Sequence, residues 1–229
     1  NPTHARRLDP HTIGRAALKG KRRGGDLEAG FKTEVLCQRV RKLNPAIDPG
    51  KWTHCLDVGD LVSVRRRVAL CFDVAPDGEH VTMAAAAVLP DDRVRVEVVG
   101  AWTGARAVDQ FRVDAPLLVS RIRPRVIGWL PAGPAAAVTA DMRERRGWPP
   151  PGAKLEPIRG ETSAVCMGFA EHVRSLRIAH SGDPLLDAHV GGAEPAPRGD
   201  AWVFMRRGAG HVDAAYAAAG AVHLARTLP

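Results

Sequence analysis

The chain has no apolar run approaching the 18 or so residues that a membrane-spanning helix needs. Its longer apolar stretches are broken by Gly, Pro or Arg, so no membrane partner is expected. It opens NPTHARR, without an initiator Met and without an apolar segment behind, so no secretory signal is expected and the chain reads as a piece of a longer protein. The 4 cysteines, Cys37, Cys55, Cys71 and Cys166, form no CxxC pair. That removes the common zinc and dithiol motifs and leaves a reduced, intracellular setting as the simple expectation. No GxxxxGK[ST] phosphate loop occurs, since GRAALKGKRR has the wrong spacing, and ATP hydrolysis is not expected. No GxSxG occurs either. Cys166 falls within an apolar helical stretch, where a buried structural thiol is the natural reading, so little supports a hydrolase built on His180 or His189 with a nucleophile. There is no internal repeat.

What is present is an ordinary globular balance, 45% hydrophobic and 25% charged, over 229 residues, which suits one α/β domain with an extension. The formal net charge is +8, and it is unevenly placed. Residues 1–67 hold 15 Lys/Arg against 7 Asp/Glu, whereas residues 68–229 hold 18 of each. The excess concentrates at Lys19, Lys21, Arg22 and Arg23 and again at Arg65, Arg66 and Arg67. A basic segment beside a neutral domain suits a polyanion such as nucleic acid; a solvated surface loop would look the same. Residues 1–60 read as a basic linker or docking extension: a helix near 9–18, a Gly-rich loop, a second helix ended by Asn44-Pro45, and a turn at Pro49-Gly50. Residues 61–229 read as the domain proper.

In that domain VALCFDVAP (68–76), HVTMAAAAVL (80–89) and VRVEVVGAW (94–102) are strands separated by the turns PDGEH and PDDR, which predicts three consecutive antiparallel strands. A helix over 106–121 follows, with Pro116 placed to bend or shorten it. Then come a strand at 125–130, a helix opening at Pro134, a fifth strand at 153–158, and helices at 161–178, 183–193 and 212–226, with a small strand at 201–207 between the last two. This order predicts an α/β fold of ribonuclease H-like type: a mixed five-stranded sheet with helices on both faces.

Nucleases of that fold cut phosphodiesters with divalent ions, which need several carboxylates converging at one end of the sheet. Asp73 interrupts the apolar first strand, where an ionised acid is costly without a partner. Asp213 begins the Ala-rich last helix, where an acid also serves as a cap. Glu161 and Asp187 are further candidates; Glu156, Asp109, His180 and His189 are weaker ones. His180 reads as a surface residue, and Asp187 and His189, two apart, point to different sides of their helix.

The residues together resemble the C-terminal nuclease domain of the large terminase subunit of tailed phages, of the actinobacterial phage and prophage type. The resemblance runs through FKTEVLC, PGKW, CFDVAPDG, GPAAA, VCMGFAEHV, HSGDPLLDAHV, GDAWVFMRR and VDAAYAAAGAVHLAR, in that order. It implies a two-metal-type endonuclease, using Mg²⁺ or Mn²⁺, that cuts concatemeric viral double-stranded DNA during genome packaging in the host cytoplasm. The motor (ATPase) domain of the same protein, the portal and the small terminase subunit are the implied partners. Carried over by position, Asp73 matches the first-strand aspartate and Asp213 the late one. The family places another acid at the end of the fourth strand, and here Trp129 and Leu130 stand there. Either Glu161, or after it Asp187, takes that place, or metal binding is weak. The alternative is a catalytically weak or inactive DNA-docking module of the packaging motor. DNA phosphates would be met by Lys19, Lys21, Arg22, Arg23, Arg206 and Arg207 as positioning charges.

Overall fold

Ala69–Val74 is buried at every position, as a strand covered on both faces must be. In the structure, a computed structural model describing residues 45–207 and 210–228, this segment is β1, and it lies inside the sheet. β2 (His80–Val88) pairs with it antiparallel, and β3 (Val94–Thr103) pairs antiparallel with β2. Gly78, at φ +75°, makes the tight turn between β1 and β2. β4 (Val126–Trp129) lies parallel to β1, and β5 (Lys154–Pro157) parallel to β4. The mixed sheet has six strands rather than five, in the order β5-β4-β1-β2-β3-β6. The additional strand, β6 (Ile178–Ala179), is two residues long and runs parallel to β3. It lies where the sequence pattern continues a helix, because Leu176 adopts φ 56° and turns the chain out of the helix.

Helices cover both faces. Chain order gives α1 (Pro49–His54), α2 (Ala107–Ile122), α3 (Pro134–Arg143), α4 (Thr162–Arg174), α5 (Pro184–Gly192) and α6 (Asp213–Thr227). Pro116 does not end α2, which continues to Ile122. The core divides according to the strand's two-residue period. Leu70, Phe72 and Val74 pack with Phe111 of α2 and Met142 of α3. Ala69 and Cys71 pack with α4, α5 and α6 on the other face. Asp73 is in phase with Ala69 and Cys71, so its side chain is committed to the α6 face.

α6 lies across β1 and β2. Its alanines favour helix and are small enough for close approach to the sheet, and the run Asp213–Val222 is buried throughout. A short hairpin, β7 (Pro195–Arg198) and β8 (Ala201–Phe204), precedes α6. The strand expected to reach residue 207 stops at Phe204, which leaves Met205–Arg207 as a turn that crosses to the sheet.

The compact unit begins at Pro45 rather than at residue 61. Ile47, Trp52 and Cys55 are buried in the α6-side core. Pro49-Gly50 opens α1 instead of a bare turn, because the Asp48 side chain accepts from the Lys51 amide as an N-cap. The helices expected at 9–18 and before Asn44 lie outside the described residues.

Candidate active site

The register of the first hairpin builds the site. Asp73 on β1 is paired with Thr82 on β2, and both point to the α6 face. The Thr82 hydroxyl donates to Asp213 Oδ2 at 2.5 Å. Two acids 140 positions apart in sequence thus meet at one end of β1. Both are buried, at 1% and 2% exposure, so neither is a solvated surface acid. Asp213 does not cap α6: it lies in the first turn and its Oδ2 is turned to Thr82. Its Oδ1 is buried without a hydrogen-bond partner.

Asp73 is engaged differently. Arg206 grips it with both terminal nitrogens, Nη1 to Oδ2 at 2.6 Å and Nη2 to Oδ1 at 2.7 Å. Such a two-pronged pair is among the stronger polar contacts in proteins. The guanidinium carbon lies 3.9 Å over the Tyr216 ring, and the Tyr216 hydroxyl donates to the Phe204 carbonyl at 2.5 Å. Burial raises the Asp73 pKa above the ordinary carboxylate value; Arg206 pulls against that rise, and the neighbouring charge of Asp213 adds to it. On the far side of Asp213, His189 Nδ1 accepts from the Ala214 amide at 3.0 Å and lies 3.6 Å from Asp213 Oδ1. Burial lowers the His189 pKa, and because Nδ1 accepts from the Ala214 amide, the proton of the neutral ring belongs on Nε2.

Two depressions open over this cluster. One, of about 320 Å³, is lined by Pro76, Asp77, Arg206, His211 and Asp213. The other, of about 700 Å³, is lined by Glu161, Ser163, Arg198, Arg206, Arg207 and Tyr216. Arg206 forms part of both walls. Asp213 is therefore buried yet borders the smaller depression, while Asp73 reaches both only through Arg206.

No protein-family model matches the sequence, and no curated protein matches it. Solved structures do. The large terminase of bacteriophage HK97 superimposes with a TM-score of 0.54 at 16% identity, over 94% of this chain and 50% of that one. The chain thus spans about half the length of that terminase. A mutant nuclease domain of the large terminase subunit of bacterial virus Sf6, with manganese and beta-thujaplicinol, superimposes with a TM-score of 0.53 at 11% identity, over 81% of this chain and 99% of that one. The large terminase nuclease of thermophilic phage G20c, with bound cobalt, gives 0.50 at 12% identity, over 68% and 79%. The fold is that of the large terminase nucleases.

On this terminase-nuclease fold the remaining sequence candidates disperse. Leu130 is 1% exposed and packs in the α6-side core, so no acid stands at the end of β4. Glu161 is exposed at the start of α4, accepts from the Ser163 hydroxyl at 3.1 Å, and borders the larger depression rather than the smaller one. Asp187 does not join the acid pair. It accepts from the Trp52 indole at 2.8 Å, because two residues along α5 turn it away from His189 and toward α1. Glu156 pairs with Arg159 and Asp109 with Arg112. His180 is not a surface residue: it is 2% exposed and stacks on Trp52 at 3.8 Å. Cys166 is fully buried, and burial pushes its thiol up to about 12, which leaves it unreactive. Arg207 is exposed on the rim, whereas Arg206 is turned inward onto Asp73 instead of outward as a phosphate contact. Lys19, Lys21, Arg22 and Arg23 lie outside the described residues.

Among the described residues no group of three or more His, Cys, Asp and Glu is placed to share a metal ion. A hard cation such as Mg²⁺ is nonetheless commonly held by one or two carboxylates with water and substrate phosphate completing the shell. Asp73 and Asp213 supply that donor type: both Asp73 oxygens are held by Arg206, and Asp213 Oδ1 is buried without a hydrogen-bond partner. The residues therefore fit one divalent cation. Sequence reasoning misses Thr82 and the inward turn of Arg206, and it ranks His189 only among the weaker candidates. Thr82 does carry a signal: it is a hydroxyl in an otherwise apolar strand, opposite Asp73 in the hairpin register.

Proposed function

We propose that this chain is the nuclease domain of a large terminase subunit, an endonuclease that cuts concatemeric viral double-stranded DNA during genome packaging. The observation that carries the reading is the meeting of Asp73 and Asp213, buried together beneath an open depression, on a fold shared with terminase nucleases. A docking module without a site would have no reason to keep two acids in a core where each is costly to ionise. The motor domain of the same protein, the portal and the small subunit are the partners this role entails, with the host cytoplasm as its place.

Asp73 and Asp213 would hold a divalent cation, Mg²⁺ or Mn²⁺. When bound, such an ion polarises the phosphate and lowers the pKa of attacking water. The chain's own residues do the rest. Thr82 fixes the Asp213 carboxylate so that one oxygen faces the site. His189 holds the first turn of α6 through the Ala214 amide and so sets where Asp213 stands. Arg207 on the rim, with the basic 19–23 cluster, draws the phosphate backbone in as positioning charge. Glu161, on the wall of the larger depression, is the candidate third carboxylate.

Plasmid nicking tests the assignment. Wild type should nick supercoiled DNA with Mn²⁺ and stop with EDTA. Asp73→Ala and Asp213→Asn, both confirmed folded by circular dichroism, should lose at least about two orders of magnitude, as expected when the group that holds the cation is removed. Equal nicking by wild type and Asp73→Ala would defeat the reading.

A further inference from the structure

Asp73 has no oxygen left over. Both accept from Arg206, at 2.6 and 2.7 Å, while Asp213 on the other side of the same site keeps an unpartnered oxygen. A guanidinium cannot be deprotonated in a protein, so nothing but its departure frees the carboxylate. A dication coordinated to Asp73 would also face the Arg206 charge at close range. The competition is therefore geometric and electrostatic together. We propose that Arg206 occupies the cation's place on Asp73 and must leave before the cation binds, which makes it a positioning residue that sets the metal affinity of the site. This inference rests on the nuclease reading above.

The surroundings of Arg206 suit such a departure. It belongs to the turn after β8, not to a strand whose ladder would fix it. Its side chain is 19% exposed, unlike the 1% of Asp73, and it forms a wall of both depressions. The Tyr216 ring beneath it supplies a flat cation-π surface on which the guanidinium can slide while keeping a partner. Beside the larger depression it would join Arg198 and Arg207, both in position to meet a phosphate. With Arg206 on Asp73 the guanidinium charge stands where the dication would bind and opposes it; with Arg206 withdrawn that opposition is gone.

Mn²⁺ titration followed by electron paramagnetic resonance of the free ion, without DNA, tests this without reference to activity. The Arg206→Gln protein should bind Mn²⁺ at least tenfold more tightly than wild type. Arg206→Lys, which keeps the charge but lacks the fork, should fall between them. Mn²⁺ should raise the melting temperature of Arg206→Gln more than that of wild type, and Asp73→Asn should bind weakly in either background. Equal or weaker binding by folded Arg206→Gln, with Asp73→Asn still losing binding, overturns the competition and leaves the nuclease reading standing. Absence of Mn²⁺ binding in wild type and both Arg206 variants overturns both. Arg206→Lys serves the same comparison should Arg206→Gln fail to fold.

Discussion

Gly220 shows how tightly single residues hold this site in place. It faces β1 from the middle of α6, and a Cβ built there would lie 2.4 Å from Cys71 Sγ and 2.9 Å from Ile158 Cδ1. Intrinsic propensity argues the other way, since Ala is favoured over Gly in a helix by about 1 kcal/mol. The clash should win, because Cys71 is fully buried in a central strand and has nowhere to move. Overpacking of this kind costs about 1–3 kcal/mol. Gly220→Ala should therefore lower stability by a net ~1–2 kcal/mol in urea unfolding, against the gain that helix propensity alone would give. It should also reduce nicking, since α6 carries Asp213. A stabilised variant would show that α6 does not lie as close to β1 as described. At the same scale, Asp73 is legible in the sequence because an acid in an apolar strand must have a reason to be there. Its partner Arg206 is not, since a side chain 133 positions away has no local signature. Asp187 is misplaced by the sequence for a related cause: the chain shows an acid on α5 but not which face of α5 meets α6.

Elements are more legible than their joints. The three-strand meander, the alternating helices and the final Ala-rich helix follow from periodicity and turn residues. β6 stays hidden because two residues are too short to show any period. The segment Pro45–Asp60 reads as part of an extension because its polar residues outnumber its anchors. Yet Trp52, stacked on His180, and Asp57 tie it to the domain. Asp57 pairs with Arg93 at 2.7 Å and with Arg95 at 2.6 Å, and those two hydrogen bonds, Arg93 first, hold its pKa below the ordinary carboxylate value. A carboxylate lowered on folding adds stability above its unfolded pKa of about 4 and loses it as the pH falls through the lowered folded value. Hydrogen exchange in residues 52–58 should therefore quicken, relative to the sheet, when the pH drops from 6 to 3, after correction for intrinsic rates. Asp57→Asn should exchange quickly already at pH 6. Identical protection of the variant and wild type at pH 6 would mean that Trp52 alone holds the segment.

For the whole molecule, the placement of charge matters more than its total. The unit from Pro45 onward is nearly neutral, and its site is anionic at the centre, so it cannot attract a polyanion by its overall field. Residues 1–44 carry 11 Lys/Arg against 4 Asp/Glu, nearly all of the +8 excess. Affinity for DNA and cutting of DNA should therefore separate genetically. Changing Lys19, Lys21, Arg22 and Arg23 together to Gln removes four charges without touching the acid pair. Each phosphate that the protein ceases to neutralise lowers the slope of log K against log salt by about 0.9, so the quadruple variant should flatten that slope by up to about 3.6 for duplex DNA. Nicking at saturating DNA should be unchanged, because Asp73, Asp213 and Arg206 are intact, while nicking at low DNA concentration should fall and fall further as salt rises. The measurement is fluorescence anisotropy with a labelled duplex from 50 to 200 mM NaCl, in Ca²⁺ to suppress cutting. A slope equal to that of wild type would make the cluster a solvated loop. Attraction of the DNA would then rest with Arg198 and Arg207, which line the larger depression.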